Sequence, residues 1–136
     1  MADPSRIEEL RRRVRVDPAS IAFAALAEEY RRAGRYHEAV ETCLAGLQRH
    51  PMYLSARVTL GQSLLELRRY DAAQEQFERV ISLAPENLAA TRGLAEVDAH
   101  RPTERDRAAL PALEAFLAAI VRARERLDSA SGRGVD

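Results

Sequence analysis

The 136-residue chain has no lysine, no tryptophan and a single cysteine, Cys43, with only six glycines and six prolines. One cysteine cannot build a disulfide framework or a cysteine-rich zinc site. So little glycine, in a chain rich in Ala, Leu, Arg and Glu, reads as helical. No stretch of about 20 apolar residues is present, so nothing is expected to span a bilayer. Neither sign of charge is in excess, with 21 basic residues, all arginine, against 21 acidic ones. That balance argues against a general nucleic-acid binder. What is present is 46% hydrophobic and 31% charged residues, the composition of a folded globular chain. The stretch Met1–Arg6 is polar with no apolar run behind it. This predicts no secretory signal and a cytoplasmic protein whose thiol stays reduced. Arginine-only, alanine-rich usage points to a GC-rich, bacterial source.

The residues repeat with a period of 34. Leu26, Leu60 and Leu94 stand 34 apart, as do Ala27, Gly61 and Ala95, and the pairs Tyr36 and Tyr70, Ala39 and Ala73, Leu47 and Ile81, Pro51 and Pro85. Two helices of about 13 residues and two short turns consume that length. The first unit reads Phe23-x2-Leu26-Ala27-x2-Tyr30, then Ala39-x3-Cys43, then Pro51. The second reads Arg57-x2-Leu60-Gly61-x2-Leu64, then Ala73-x3-Phe77, then Pro85. A third unit starts at Leu94-Ala95 and departs from the pattern, with Asp98 at the aromatic position.

These offsets resemble the tetratricopeptide repeat, W-x2-L-G-x2-Y followed by A-x3-F and P. The resemblance covers residues 20–100 and implies an all-α solenoid of two full repeats, about 20–53 and 54–87, and a partial one at 88–101. Packing gives the pattern its logic. Small residues at Ala27, Gly61 and Ala95, and at Ala39 and Ala73, let helices approach, while Phe23, Leu26, Tyr30, Leu60, Leu64 and Phe77 fill the space around them. Gly34 suits the left-handed turn that ends a helix.

Seven helices are predicted, at about 4–15, 20–33, 36–49, 53–67, 70–83, 87–100 and 110–128. Asp3 caps the first and Pro4 sits in its first turn. Residues 103–109 read as loop or a single turn, and 129–136 as a disordered tail. The whole of 1–128 is expected to form one domain. The first and last helices are expected to cap the open ends of the stack. The last helix carries Leu110, Leu113, Phe116, Leu117, Ile120, Val121 and Leu127 on one face and Arg122, Arg124, Glu125 and Arg126 opposite. It either replaces the missing second helix of repeat three, lies along a groove, or pairs with a second copy.

Little in the chain suits chemistry, so no catalytic, cofactor or metal site is predicted and the protein is expected not to be an enzyme. His37, His50 and His100 sit near helix ends, far apart, and read as capping or solvated groups. Cys43 takes the aromatic position of its repeat and reads as a small core residue. The run Arg11-Arg12-Arg13-Val14-Arg15 suits either an anionic partner or the negative end of a helix dipole, the second being the simpler account.

In the tetratricopeptide family the first helix of each repeat lines a concave groove that takes extended peptides or helices. The resemblance carries that groove onto Ile21, Ala24, Glu28, Arg31 and Arg32, then Ser55, Val58, Thr59, Gln62, Leu65 and Glu66, then Ala89, Arg92 and Glu96, with His100 at the margin. Chaperone-binding members clamp a terminal carboxylate with Lys, Asn and Arg. The corresponding positions here hold Ala24, Glu28, Thr59, Ala89 and Gly93, none of them a cation or Asn, so that activity is not implied. Ile21, Val58 and Leu65 instead suggest apolar anchors for an amphipathic segment. The expected function is a non-enzymatic adaptor binding a protein partner. Alternatives are a homo-oligomeric scaffold assembled through the last helix and an arginine-mediated RNA or anion binder.

Overall fold

The computed structural model describes residues 3–132 and holds seven α-helices, α1 (Pro4–Val16), α2 (Ala22–Arg32), α3 (Tyr36–Arg49), α4 (Leu54–Glu66), α5 (Tyr70–Leu83), α6 (Leu88–His100) and α7 (Glu104–Gly132). The expected all-α repeat architecture is present, with two complete helix pairs, α2/α3 and α4/α5, and α6 as the first half of a third. The chain divides into two compact units, 1–101 and 102–136.

Helix ends follow local chemistry. The Asp3 carboxylate accepts from the Ser5 N–H at 3.0 Å and Pro4 opens α1. Asn87 caps α6 by accepting from the Ala90 N–H at 3.0 Å. After α2 the chain turns through Gly34 at φ 74°, and after α4 it makes the same turn 34 residues later through Arg68 at φ 60°. Glycine takes that conformation freely, whereas a side-chain-bearing residue is strained by about 1–2 kcal/mol.

In the first unit each helix packs on its neighbours in sequence, and α4 also touches both α2 and α6. No corresponding contact joins α3 to α5. The first helices of the repeats therefore form a close inner row while the second helices splay apart outside it, which curves the stack toward the α2–α4–α6 face.

The core divides in two. Ile7 and Leu10 of α1 pack with Leu26 and Tyr30 of α2 and Ala39 of α3, so α1 covers the first repeat. A larger cluster runs from Phe23 and Ala27 through Cys43, Leu60 and Leu64 to Phe77, Val80, Ala90 and Val97. Ala27, Ala39 and Ala73 are fully buried, as the repeat pattern requires. Ala95, its third small position, is exposed. Phe77 instead packs against α6 at Gly93, where an added Cβ would stand 2.4 Å from the ring. Arg101 closes the unit by pairing with Asp71 of α5 at 3.3 Å and donating to Gln74.

In the second unit, α7 runs from Glu104 to Gly132, where the sequence suggested 110–128. The early start has a local cause. Thr103 Oγ1 accepts from the Asp106 N–H at 3.1 Å, and the Asp106 carboxylate accepts from the Thr103 N–H at 2.9 Å. This reciprocal capping box opens a helix where a polar loop was read. Pro111 accordingly lies inside the helix and not in its first turn. The segment expected to be a disordered tail is helical as far as Gly132, and 133–136 lies outside the described residues.

Two substitutions test this packing. Arg68→Gly should raise the melting temperature by several degrees, since relief of about 1 kcal/mol in a unit of this size corresponds to roughly 4–8 °C. Gly93→Ala should lower stability by about 1–3 kcal/mol through overpacking against Phe77. Thermal melts followed by circular dichroism check both, and a neutral Gly93→Ala would contradict the close approach.

Candidate functional site

The inner row α2–α4–α6 brings together most of the residues carried over from the repeat pattern. Its centre is the Glu28 carboxylate. Arg31, one turn along α2, donates to Glu28 through two nitrogens at 2.6 and 3.0 Å. Arg32 lies 3.4 Å from the same carboxylate. From α4, Thr59 Oγ1 lies 3.2 Å from Glu28 Oε2 and 3.1 Å from the Ser55 carbonyl oxygen, sharing its proton between them. Ser63 Oγ donates to the Thr59 carbonyl at 2.8 Å. A polar chain thus bridges the first and second repeats across the inner face.

Partial burial pushes the Glu28 carboxyl up, but the hydrogen bond and charge of Arg31, the Thr59 hydroxyl and the charge of Arg32 outweigh it. The net result lies below the ordinary glutamate value. The hydrogen bond to Glu28 raises Arg31 in turn, against partial desolvation. Glu29, buried on the neighbouring face, is matched by Arg6 of α1 at 3.4 Å and Arg32 at 3.9 Å.

Further along the row, Glu66, Ala89, Arg92 and Glu96 are exposed, and Gln62 is half-buried. A cavity of about 230 Å³ is lined by Leu65, Glu66, Arg68, Tyr70, Glu96 and His100, where the ends of α4 and α6 meet the start of α5. Ala24 is half-buried within α2 and Ser55 is exposed on α4. Ile21 precedes α2 and is exposed at that helix's first turn.

Val58 and Leu65 correct an expectation. They are 8% and 9% exposed and belong to the main core, so they offer no apolar anchors to a ligand. Contact between successive first helices consumes these positions, a demand the pattern within a single repeat does not reveal. The cavity also draws in Arg68 and Tyr70, which the repeat pattern placed outside the groove.

The remaining chemistry-bearing residues have structural partners. Cys43 is buried, and its Sγ lies 3.4 Å from the Ala56 carbonyl oxygen, to which the thiol donates weakly. Desolvation, helped by the Glu28 charge, pushes the thiol up to about 12. His50 stacks on Phe23 with ring centroids 5.8 Å apart, and its Nε2 donates to the Ala19 carbonyl at 2.7 Å. His100 Nδ1 is bonded to the Glu96 carbonyl at 2.8 Å. In the arginine run, Arg11 pairs with Glu8 at 2.9 Å and Arg13 with Glu9 at 3.3 Å. Half of that run is therefore neutralised on its own helix.

A tetratricopeptide repeat family model matches residues 30–90, from the end of α2 through α3, α4 and α5 to the first turn of α6. Over these residues the chain carries the tetratricopeptide repeat. Its fold is similar to the second such domain of human RPAP3, solved with an HSP70 peptide, at 27% identity and a TM-score of 0.65, covering 68% of this chain and 78% of that one. It is similar too to the first repeat domain of Spaghetti (RPAP3), solved with an HSP90 peptide, at 24% identity and a TM-score of 0.66, covering 68% and 74%. No curated protein matches the chain. Among the described residues no helix is long and apolar enough to cross a membrane.

Two measurements follow. Because the folded Glu28 value is depressed, its contribution to stability is complete above the ordinary glutamate value and fades as pH falls through the folded one. Glu28→Gln should therefore flatten the loss of melting temperature between about pH 5 and about pH 3 relative to the parent chain, and parallel profiles would refute the linkage. For Cys43, modification by a thiol reagent at neutral pH should proceed no faster than unfolding, and rapid labelling of the native protein would contradict its burial.

Proposed function

We propose that this tetratricopeptide repeat protein is a non-enzymatic interaction module that takes an extended, polar peptide of a partner protein along the α2–α4–α6 face. One observation carries the reading. The inner face presents Arg32, Glu66, Arg92 and Glu96 to solvent on adjacent helices, while most of the large apolar residues of the same helices are spent on the core. Charged residues of both signs in a curved row suit a peptide recognised by alternating polar contacts and its backbone. With Val58 and Leu65 buried, an amphipathic helix seeking apolar pockets fits less well than the sequence suggested.

The structurally similar RPAP3 domains were solved with peptides ending in EEVD. The face described here suits another ligand. Glu28 already occupies Arg31, and the positions matched to the chaperone-binding clamp hold no free cation. At those positions an incoming carboxylate would meet the Glu28 charge and no cation. The specificity therefore lies toward segments of mixed charge.

Selection from a random peptide library on the intact chain tests both statements. Enriched peptides should lose about tenfold or more in affinity on charge reversal at the face, with Arg92→Glu and Glu96→Arg, and little on Arg79→Glu of α5. The peptide SRMEEVD should not compete with them. Binding unaffected by the face variants would sink the groove reading, and tight capture of SRMEEVD would sink the specificity.

A further inference from the structure

The second unit carries a feature that the groove does not use. No described residue of α7 is buried, and its large apolar side chains, from Ile120 at 49% to Leu127 at 72% exposed, lie on one side of the helix. Their order is regular. Leu110, Leu113, Leu117, Ile120 and Leu127 follow steps of three, four, three and seven, and the step of seven is divided by Arg124 into four and three. This is a heptad seam with one charged position, flanked by Phe116 and Val121. Arg122, Glu125, Arg126 and Ser129 gather on the opposite side. An apolar stripe along much of a long helix is not left in water.

The charges on the seam select a partner and a direction. A parallel pair in register would set Arg124 against Arg124 of a second copy on the seam itself. An antiparallel pair centred between Leu117 and Ile120 sets Leu110 opposite Leu127, Leu117 opposite Ile120, and Leu113 opposite the aliphatic stem of Arg124. The guanidinium of Arg124 then falls beside Glu114, the residue after Leu113, on the second copy. Phe116 falls near Ala123, large against small. Every seam residue finds a complementary partner in the same sequence. The two-fold relation uses the same face twice and closes at two chains.

We propose that α7 is a self-association helix that pairs antiparallel with α7 of a second copy, with Glu114 and Arg124 setting the direction. The pair carries two repeat stacks, so two peptide-binding faces act on one partner assembly and gain by avidity. This inference stands on α7 alone and survives if the groove reading fails.

Analytical ultracentrifugation of the full chain should find a reversible dimer. Leu117→Asp should abolish it while the melting of the repeat unit stays unchanged. Arg124→Glu and Glu114→Arg should each weaken the dimer about tenfold, and the two together should restore it, since only the antiparallel pairing joins these positions. Direction is read by disulfide trapping: Leu110→Cys chains mixed with Leu127→Cys chains should cross-link, and Leu110→Cys chains alone should not. A monomer at all concentrations overturns the proposal, as does a dimer insensitive to Leu117→Asp. Self-cross-linking of Leu110→Cys chains, or failure of the double charge swap to restore the dimer, overturns the antiparallel direction.

Discussion

Phe77 lies between α4 and α6 against two glycines, Gly61 and Gly93, at each of which a Cβ would stand closer than 3.0 Å to its ring. Phe23 does the same across the first repeat, its ring lying where Gly46 of α3 has no side chain. Much of the first unit depends on these contacts. A ring seated on bare backbone brings two helices closer than paired side chains allow, and the shortened distance lets their remaining apolar residues interlock at native density. The two rings come from different helices of their repeats. In the first repeat the phenylalanine is on the first helix and the small Cys43 on the second. In the second repeat Arg57 and Phe77 hold the same positions, 34 residues on. Bulk has moved from one helix to the other. Arg57 fills its site with polar ties instead, donating to Gln76 Oε1 at 3.0 Å and to the Pro51 carbonyl at 2.7 Å.

Close packing within repeats has a consequence between them. Because α4 contacts both α2 and α6, the facing sides of the inner helices lose their apolar residues to the core, and Val58 and Leu65 go with them. What remains outward on this face is mainly polar. Where α2 meets α4 near the surface, the contact is a hydrogen-bonded carboxylate, not a hydrocarbon seam. Glu28 gathers Arg31, Arg32 and Thr59, so the junction of two repeats is polar, directional and partly wet. The chemistry of the candidate face is thus a by-product of how the stack is held together.

The 34-residue period made the helix pairs legible, since each recurring position answers a packing need inside one repeat. Needs that arise between repeats do not recur at fixed offsets. Gly46 and Gly93 belong to no repeated pair, yet each faces a phenylalanine. Val58 and Leu65 satisfy no consensus position, so they read as free when they are consumed by neighbouring first helices. Ala95 shows the converse: it keeps the repeat's small residue and is exposed. The start of α7 is signalled by Thr103-x-x-Asp106, a capping pattern set inside a polar stretch that otherwise resembles a loop. The polar face was readable in membership and not in geometry. The pattern could place Glu28, Arg31 and Thr59 on facing helices, but only the curvature of the inner row brings the carboxylate within reach of the hydroxyl.

The partial third repeat ties these observations together. A stack of helix pairs exposes an apolar flank wherever a pair is incomplete, and α6 is such a place: Leu83 and Leu88 are more than half exposed, and Ala95 is open. The flank is nonetheless modest, because α6 spends its own bulk inward. Val97 and Ala90 are fully buried, Gly93 takes the Phe77 ring, and Arg101 fastens the helix end to α5. A helix anchored by one face and one terminal ion pair can end a stack with little apolar surface to spare. The apolar residues that follow are gathered on α7 in a register of their own, with a charge at one seam position, and a helix patterned in heptads is suited to another helix.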